Sequence, residues 1–197
     1  IDKDHAQHGV EAALAMNEGL IEINAEFAKQ NLPAISIGVG LSSGDMNVGD
    51  MGSIYRKAYT VLGDAVNLGA RVESLTKFYG VAILVTEETM QACSGIAFRL
   101  IDKVQVVGKT TSIALYEPIN YTNKLNKIQL KEIDNSLKAI TFFHNKKWEN
   151  ALSLFEQLEN NAVLNADVYR IYIERIQSTD IQTLAKDWNG AFVHTKK

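Results

Sequence analysis

The spacing of apolar positions changes several times along the first 63 residues, and each change predicts a different element. Residues 4–30 carry apolar side chains at near-helical spacing and predict a long helix. After Pro33, residues 34–41 alternate apolar with small or polar side chains, which predicts a half-buried strand. The glycine-punctuated segment 42–53 predicts a turn and a short return strand, and residues 57–63 predict another strand. The apolar positions are Val10, Leu14, Leu20, Ile21 and Phe27 in the helix, and Ile35, Ile37, Val39 and Leu41 in the strand.

A second amphipathic helix is predicted immediately after Gly63. Asp64 is a suitable N-cap, and Gly80 stands where a left-handed C-terminal cap belongs. Apolar side chains recur every three or four residues between these two positions, so one face of the helix should be buried. The positions of this buried stripe are Leu68, Val72, Leu75 and Tyr79.

The remaining pattern predicts more strands and then only helices. "VAILVT" predicts a buried strand, a short helix should start near Glu87, and residues 97–119 predict a hairpin whose turn is "GKTTS". Glycine is absent after Gly108 until Gly190, and residues 124–177 predict three helices. We therefore expect an α+β unit over residues 1–120 and a helical tail over residues 121–197.

Composition and charge exclude several classes of protein. The chain has 197 residues, of which 46% are hydrophobic and 22% charged, which is typical of globular domains. Its net charge of -3 gives no electrostatic case for a nucleic-acid partner. One cysteine, Cys93, excludes an internal disulfide framework and suits a reducing compartment, so we expect a cytoplasmic location. No apolar run is long enough to span a membrane, although a longer parent protein could carry an anchor.

Three attractive motifs fail on spacing or context. The glycines of "GVGLSSG" do not match a dinucleotide fingerprint, and a turn follows them rather than a helix. "GKTT" resembles the end of a P-loop, but Lys103 stands where the upstream glycine belongs. His5 and His8 are three residues apart on the first helix, and without a third ligand a solvated helical face is the better interpretation.

Asn67 and Arg71 form the most informative pair in the sequence. Four residues apart on the second helix, they lie on the same face, beside the buried stripe. No acidic residue is a helical neighbour of Arg71, so its guanidinium needs an anion from elsewhere. From spacing alone that anion is either an acid elsewhere in the fold or in a partner chain, which is the commoner case, or a phosphate ligand.

The segments "IGVGLSSGDMNVGDMGS" and "YTVLGDAVNLGARVESLTKFYG" closely resemble the second half of a class III adenylate/guanylate cyclase catalytic domain of bacterial type. The resemblance extends from residue 4 to about residue 118, and its core, "VLGDAVNLGAR", is highly specific. It implies an α+β fold, part of the ferredoxin-like nucleotide cyclase sandwich, with an α-helical C-terminal appendage. It also implies conversion of ATP to 3′,5′-cyclic AMP and pyrophosphate.

The resemblance assigns roles to four residues. Asn67 matches the asparagine that orients the ribose, and Arg71 matches the arginine that stabilises charge on the α-phosphate. Thr60 matches the position that reads the purine base, where a threonine favours ATP over GTP. Lys109 resembles a lysine that contacts the terminal phosphates, although Val107 stands where family members often have a second lysine.

The resemblance also implies what this chain lacks. Family cyclases hold two Mg²⁺ or Mn²⁺ ions through aspartates in the first half of the domain, and Asp45, Asp50 and Asp64 do not match those positions. The family works as a head-to-tail homodimer, so we expect a partner subunit to supply the metal-bearing face, and an upstream sensor domain in the parent protein. The alternative is a degenerate cyclase domain that serves as a nucleotide-binding regulatory or dimerisation module.

The tail resembles a tetratricopeptide-like helix pair. Small and large residues stand at the packing positions of such a pair, although Val163 replaces the usual proline after the second helix. A single repeat cannot bury both of its faces, so we expect it to dock on the cyclase-like unit rather than bind peptides. The packing positions are Ala139, Phe142, Trp148, Ala151 and Phe155.

Overall fold

A computed structural model describes residues 2–53, 55–105, 112–178, 188 and 190–193, and it centres them on a mixed five-stranded sheet. The strand order is β1-β4-β6-β5-β7; β1 is parallel to β4 and β5 to β7, and the other two pairings are antiparallel. A separate antiparallel hairpin consists of β2 and β3. The strands are β1 (Val39–Leu41), β2 (Asn47–Ser53), β3 (Arg56–Leu62), β4 (Ile83–Thr86), β5 (Ile96–Gln105), β6 (Ile113–Tyr121) and β7 (Phe192–Val193).

Six α-helices complete the described fold, and most match the predicted pattern. The second helix begins at Asp64 and Gly63 is its N-cap, so the prediction that Asp64 caps it was wrong by one residue. Gly80 has φ 66° and is the left-handed C-cap, as predicted. The three predicted tail helices are present. The helices are α1 (His5–Lys29), α2 (Asp64–Tyr79), α3 (Glu87–Gln91), α4 (Lys127–His144), α5 (Trp148–Asn160) and α6 (Asp167–Ser178).

Helices pack on both faces of the sheet and form two hydrophobic cores. Ile83 and Val85 of β4 pack with Val10 and Ala13 of α1 on one face. Leu84, between them on the strand, points to the opposite face because side chains alternate along a strand. There it joins a larger core to which α2, α4, α5 and α6 all contribute. The tail and α2 therefore share one core on the same side of the sheet.

Glycines allow α2 to lie directly on β1. A Cβ atom added to Gly40 would lie 2.2 Å from the Glu73 backbone nitrogen and 2.5 Å from the Gly69 carbonyl oxygen. A Cβ on Gly38 would lie 2.4 Å from the Thr76 hydroxyl oxygen. The glycines that imitate a nucleotide-binding motif in the sequence thus serve close packing between a strand and a helix.

Part of the predicted strand over residues 34–41 is absent. Only Val39–Leu41 pairs within the sheet, and Ile35 is 44% exposed. The hairpin β2–β3 is also largely open to solvent, since every residue of β3 is exposed. On α1, the buried residues all lie in its first half, and Ile21 is 70% exposed. The pattern predicted burial here that the described residues alone do not supply.

A buried ion pair on the sheet also helps to hold the tail. Arg99 of β5 donates through Nη2 to Glu117 of β6 at 2.7 Å and through Nη1 to the Asn165 carbonyl oxygen at 2.9 Å. It also donates to the hydroxyl of Tyr169, which in turn donates to Glu132 of α4 at 2.9 Å. Burial raises the pKa of Glu117, and the Arg99 guanidinium opposes that rise.

His144, at the end of α4, predicts a pH dependence of stability. Burial lowers its pKa below the ordinary 6.5, with opposition from Asp102, and its buried Nε2 has no hydrogen-bond partner among the described residues. The His144 imidazole therefore binds a proton more readily in the unfolded chain than in the folded one. Its contribution to the free energy of unfolding is fully present above pH 6.5 and is lost as the pH falls through and below that value. We expect the melting temperature to fall between pH 7 and pH 5.5, and His144→Gln to flatten that fall. Equal profiles for the wild type and His144→Gln would contradict the assignment.

No helix among the described residues has the length and apolar character needed to cross a membrane.

Candidate functional site

Asn67 and Arg71 lie on the solvent-facing side of α2. Both are exposed, whereas Leu68 and Val72, the residues that follow them, are buried against the sheet. The helix thus fixes its orientation with one face and presents the amide and the guanidinium on the other. The pair is close enough to act on one ligand, because residues four apart on a helix are neighbours.

Thr60 lies on β3, the strand that directly precedes α2. It is exposed on β3, where it pairs with Gly49 of β2, and β3 ends at Leu62. Only Gly63 separates β3 from α2, and a Cβ there would lie 3.0 Å from the Asp45 carbonyl oxygen. This tight junction sets the direction in which the strand leads into the helix. Thr60 thus lies three residues before the Gly63 junction, and Asn67 and Arg71 lie four and eight residues after it.

Lys109, the fourth predicted site residue, lies outside the described residues, as does the predicted "GKTTS" turn. A cavity of about 320 Å³ opens near the start of α2, but neither Asn67 nor Arg71 lines it. Its lining includes Ser42, Asp45, Asp64 and Glu88, and that acidic character does not suit a phosphate. A ligand held by Asn67 and Arg71 would instead lie on an open surface.

The described residues do not form a metal centre. In the ranges 2–53, 55–105 and 112–178, no three His, Cys, Asp or Glu side chains cluster so that they could hold an ion. The residues that the structure describes therefore do not fit the two ions implied by the sequence resemblance.

A buried carboxylate links the far end of α2 to the tail, and the sequence pattern did not reveal it. Asp102 of β5 is 0% exposed. Its Oδ2 accepts from the Tyr79 hydroxyl of α2 at 2.6 Å and from Arg175 Nη1 of α6 at 2.6 Å. Its Oδ1 accepts from the Tyr172 hydroxyl of α6 at 2.9 Å and from the Lys103 backbone N–H at 2.7 Å. Four donors from three elements thus meet on one carboxylate.

A β-bulge turns Asp102 toward the tail. Leu100 pairs with Tyr116 and Asp102 with Leu115, so Ile101 is an extra residue on β5. Both Ile101 and Asp102 are buried, against the usual alternation. The Ile101 carbonyl oxygen, outside the ladder, accepts from the Tyr172 hydroxyl at 3.0 Å. The sequence offered one signal of this cluster: Asp102 is a charged residue at a buried position of a strand.

Burial of this cluster changes how its members titrate. Burial raises the pKa of Tyr79, and the neighbouring Asp102 carboxylate raises it further. The same two causes raise the pKa of Tyr172. Burial alone would lower the pKa of Arg175, but Asp102 outweighs it and the pKa is raised. The two hydroxyls therefore remain donors and the guanidinium remains charged throughout the pH range in which proteins are studied.

The chain is similar to known nucleotide cyclases. The family described as "Adenylate and Guanylate cyclase catalytic domain" matches residues 2–129. An adenylate cyclase of Anabaena cylindrica is 40% identical over 124 residues, 59% of this chain and 25% of that protein. The terminal-differentiation-specific adenylate cyclase of Dictyostelium discoideum is 32% identical over 178 residues, 88% of this chain and 8% of that protein. The chain thus spans a quarter or less of these two relatives.

Solved structures agree with the fold. The guanylyl cyclase Cya2 has a TM-score of 0.53 and 26% identity, with 64% of this chain and 63% of that chain covered. The adenylyl cyclase CyaB from P. aeruginosa has a TM-score of 0.51 and 25% identity, with 57% and 58% covered. The predicted α+β fold with a helical C-terminal part is confirmed.

Proposed function

The chain belongs to the adenylate and guanylate cyclase catalytic domain family, and from this premise we propose that it forms one wall of a site that converts ATP to 3′,5′-cyclic AMP and pyrophosphate. The observation that carries the proposal is the exposed pair Asn67 and Arg71 on a helix whose other face is buried. In this reaction the ribose 3′-oxygen bonds to the α-phosphorus, its proton departs, and the bond to the leaving pyrophosphate breaks.

Arg71 stabilises the negative charge that develops on the α-phosphate and the leaving group. A guanidinium suits this role because it stays charged and presents two donors in one plane. Donors preorganised toward developing charge typically contribute about 10²–10³ in rate each. Asn67, one turn earlier, orients the ribose so that the 3′-oxygen faces the phosphorus.

Thr60 reads the base and favours adenine. Its hydroxyl can accept a hydrogen bond from the exocyclic amino group of adenine. Thr60 lies on β3, three residues before Gly63, whereas Arg71 lies on α2. This supports the role, because the base and the phosphates of one nucleotide are then bound by different elements.

The site lies at an interface, and other surfaces complete it. Asn67 and Arg71 are exposed and do not line the cavity near the start of α2. Exposed apolar side chains near the site support the idea that protein covers this region: Tyr59 is 76% exposed and Leu62 is 57% exposed. The carboxylates that hold two Mg²⁺ or Mn²⁺ ions lie outside the described residues. They belong to the first half of the domain, which a homodimer partner brings to the site.

The first test is cyclic AMP formation from Mn-ATP by a chain extended upstream by about 100 residues of its own gene, roughly the size of the missing half-domain. The 197-residue chain serves as the matched control. We expect activity only in the extended protein, with Lys109 contributing to phosphate binding. Formation of cyclic GMP from Mn-GTP, with no cyclic AMP from Mn-ATP, would contradict adenylate specificity. A folded, dimeric, silent protein that still binds ATP would favour the second candidate, a nucleotide-binding regulatory module.

Base selection has its own test. Thr60→Glu places a carboxylate where the hydroxyl stands, and a carboxylate can accept from the N1–H and amino group of guanine. We expect the ratio of kcat/KM for ATP to that for GTP to fall about tenfold, the loss of one hydrogen bond of discrimination. Thr122→Glu, an exposed threonine remote from the site in sequence, is the control. An unaltered ratio in the Thr60 variant would remove Thr60 from base recognition.

A further inference from the structure

We propose that Tyr79, Asp102 and Arg175 position α2 for the cyclase reaction, so that the C-terminal helices act on Arg71 through the far end of its own helix. Tyr79 and Asp102 are buried and the Arg175 side chain is 11% exposed, whereas Asn67 and Arg71 lie on the exposed face of α2. They are positioning residues, and the inference rests on the function proposed above.

The helix α2 is fixed at two places along its length. Near Gly69 and Glu73 it rests on Gly40 of β1. At its C-terminal end, the Tyr79 hydroxyl is anchored on Asp102. Tyr79 follows Arg71 by eight residues, about 12 Å along the helix axis. Over two turns a helix moves nearly as a rigid rod, so the anchor at Tyr79 and the contact with Gly40 together set the position of the helix segment that carries Arg71.

The tail supplies most of the anchor. Arg175 and Tyr172 both belong to α6, and both donate to the carboxylate that holds Tyr79. Arg175 also approaches the Tyr79 hydroxyl directly, at 3.5 Å through Nη2. Without Arg175 the buried carboxylate would lose its counter-charge, and truncating one partner of a buried ion pair is strongly unfavourable. The geometry of Asp102, and through it of Tyr79, therefore depends on α6.

A second contact joins the same two ends. Asn165 donates from Nδ2 to the carbonyl oxygen of Gly80, the residue that caps α2. A Cβ on Gly80 would lie 2.6 Å from an oxygen of Asp167, the first residue of α6. The end of α2 and the start of α6 thus meet in direct contact. A displacement of α6 should therefore also move the C-terminal end of α2.

Positioning of this kind matters because the proposed role of Arg71 depends on distance. Charge stabilisation in the transition state is lost steeply when the donor moves, and a misplacement of about 1 Å can cost about 100-fold. Ground-state binding of ATP is shared among many contacts and is less sensitive. Loss of the anchor should therefore lower kcat more than it raises KM.

The test compares two Tyr→Phe substitutions in the extended, active protein. Tyr79→Phe removes the hydroxyl that anchors α2 and keeps the ring in the core. Tyr169→Phe is the matched control: its side chain is equally buried, and its hydroxyl joins α6 to Arg99 of β5 and Glu132 of α4 rather than to a residue of α2. We expect Tyr79→Phe to lower kcat about tenfold with KM for ATP within about twofold. Tyr169→Phe should keep kcat within about twofold, even where its melting temperature falls as much.

Equal losses of kcat in both variants, in proportion to their stabilities, would overturn the inference, because the cluster would then only hold the fold together. Wild-type kcat in Tyr79→Phe would overturn it as well.

Amide hydrogen exchange on the 197-residue chain gives a readout that needs no activity. Tyr79→Phe and Arg175→Gln should speed exchange over residues 71–80, and Tyr169→Phe should not. A cyclase-silent wild-type protein would overturn the proposed function and the catalytic part of this inference. Unchanged exchange in both anchor variants would overturn the mechanical link itself.

Discussion

Arg71→Ala in the extended protein is expected to lower kcat for cyclic AMP formation at least about 100-fold, equivalent to about 2.7 kcal/mol of lost transition-state stabilisation. The guanidinium stands on the exposed face of α2, so its removal should leave the melting temperature nearly unchanged. Steady-state kinetics with Mn-ATP, together with a thermal melt, measure both quantities on the same sample.

Lys77→Ala is the matched control, since it removes one positive charge from an exposed position on the same helix. It should keep kcat within about twofold. If both variants lose activity alike, net charge near the site is responsible rather than Arg71. If Arg71→Ala keeps wild-type turnover with an intact fold, the central assignment of the site is wrong.

Gly40→Ala is expected to destabilise the protein by about 1–3 kcal/mol, the usual cost of overpacking a core. The added methyl group would meet only backbone atoms of α2, including the Glu73 nitrogen at 2.2 Å, and backbone cannot move aside as a side chain does. The helix must shift away from β1, so the extended protein should lose activity as well. Denaturant unfolding measures the first effect, and cyclic AMP formation the second.

Gly19→Ala is the control, and it should leave the free energy of unfolding unchanged or raise it. A Cβ at Gly19, within α1, meets nothing within 4 Å, and alanine is favoured over glycine in a helix by about 1 kcal/mol. We expect Gly19→Ala to unfold at the same or a higher denaturant concentration. Destabilisation of both variants to the same extent would show that the close contact between β1 and α2 is not what constrains Gly40.

Local sequence patterns predicted α2 well because helix periodicity and capping depend on residues only a few positions apart. The buried stripe from Leu68 to Tyr79, the glycine C-cap and the shared face of Asn67 and Arg71 all follow from helix periodicity. The exposure of Asn67 and Arg71 agrees with the interpretation that their ligand is not part of this helix. The assignments of Thr60, Asn67 and Arg71 to nucleotide contacts stay predictions, as do the role of Lys109 and the domain boundary near residue 120.

Predictions failed where burial depends on surfaces beyond the segment itself. The alternation over residues 34–41 indicated a long half-buried strand, but a strand pairs only where a neighbour is present, and only Val39–Leu41 finds one in β4. The apolar stripe along α1 likewise continues into a half that the described residues leave exposed. The pattern records a need for burial, and it does not say which surface meets that need.

The sequence by itself determined the order of helices and strands from α1 to α6, the buried face of α2 and the membership of the chain in the cyclase family, because each follows from local spacing or from a specific motif. It did not predict β7, which follows α6 and pairs with β5. Only the tertiary structure decided that α6 reaches the end of α2 through Asp102. The partners Tyr79 and Arg175 lie 23 and 73 residues from that carboxylate, and a one-residue bulge turns it inward. Contacts across such separations are set by how the layers pack, and no periodicity in the chain encodes them.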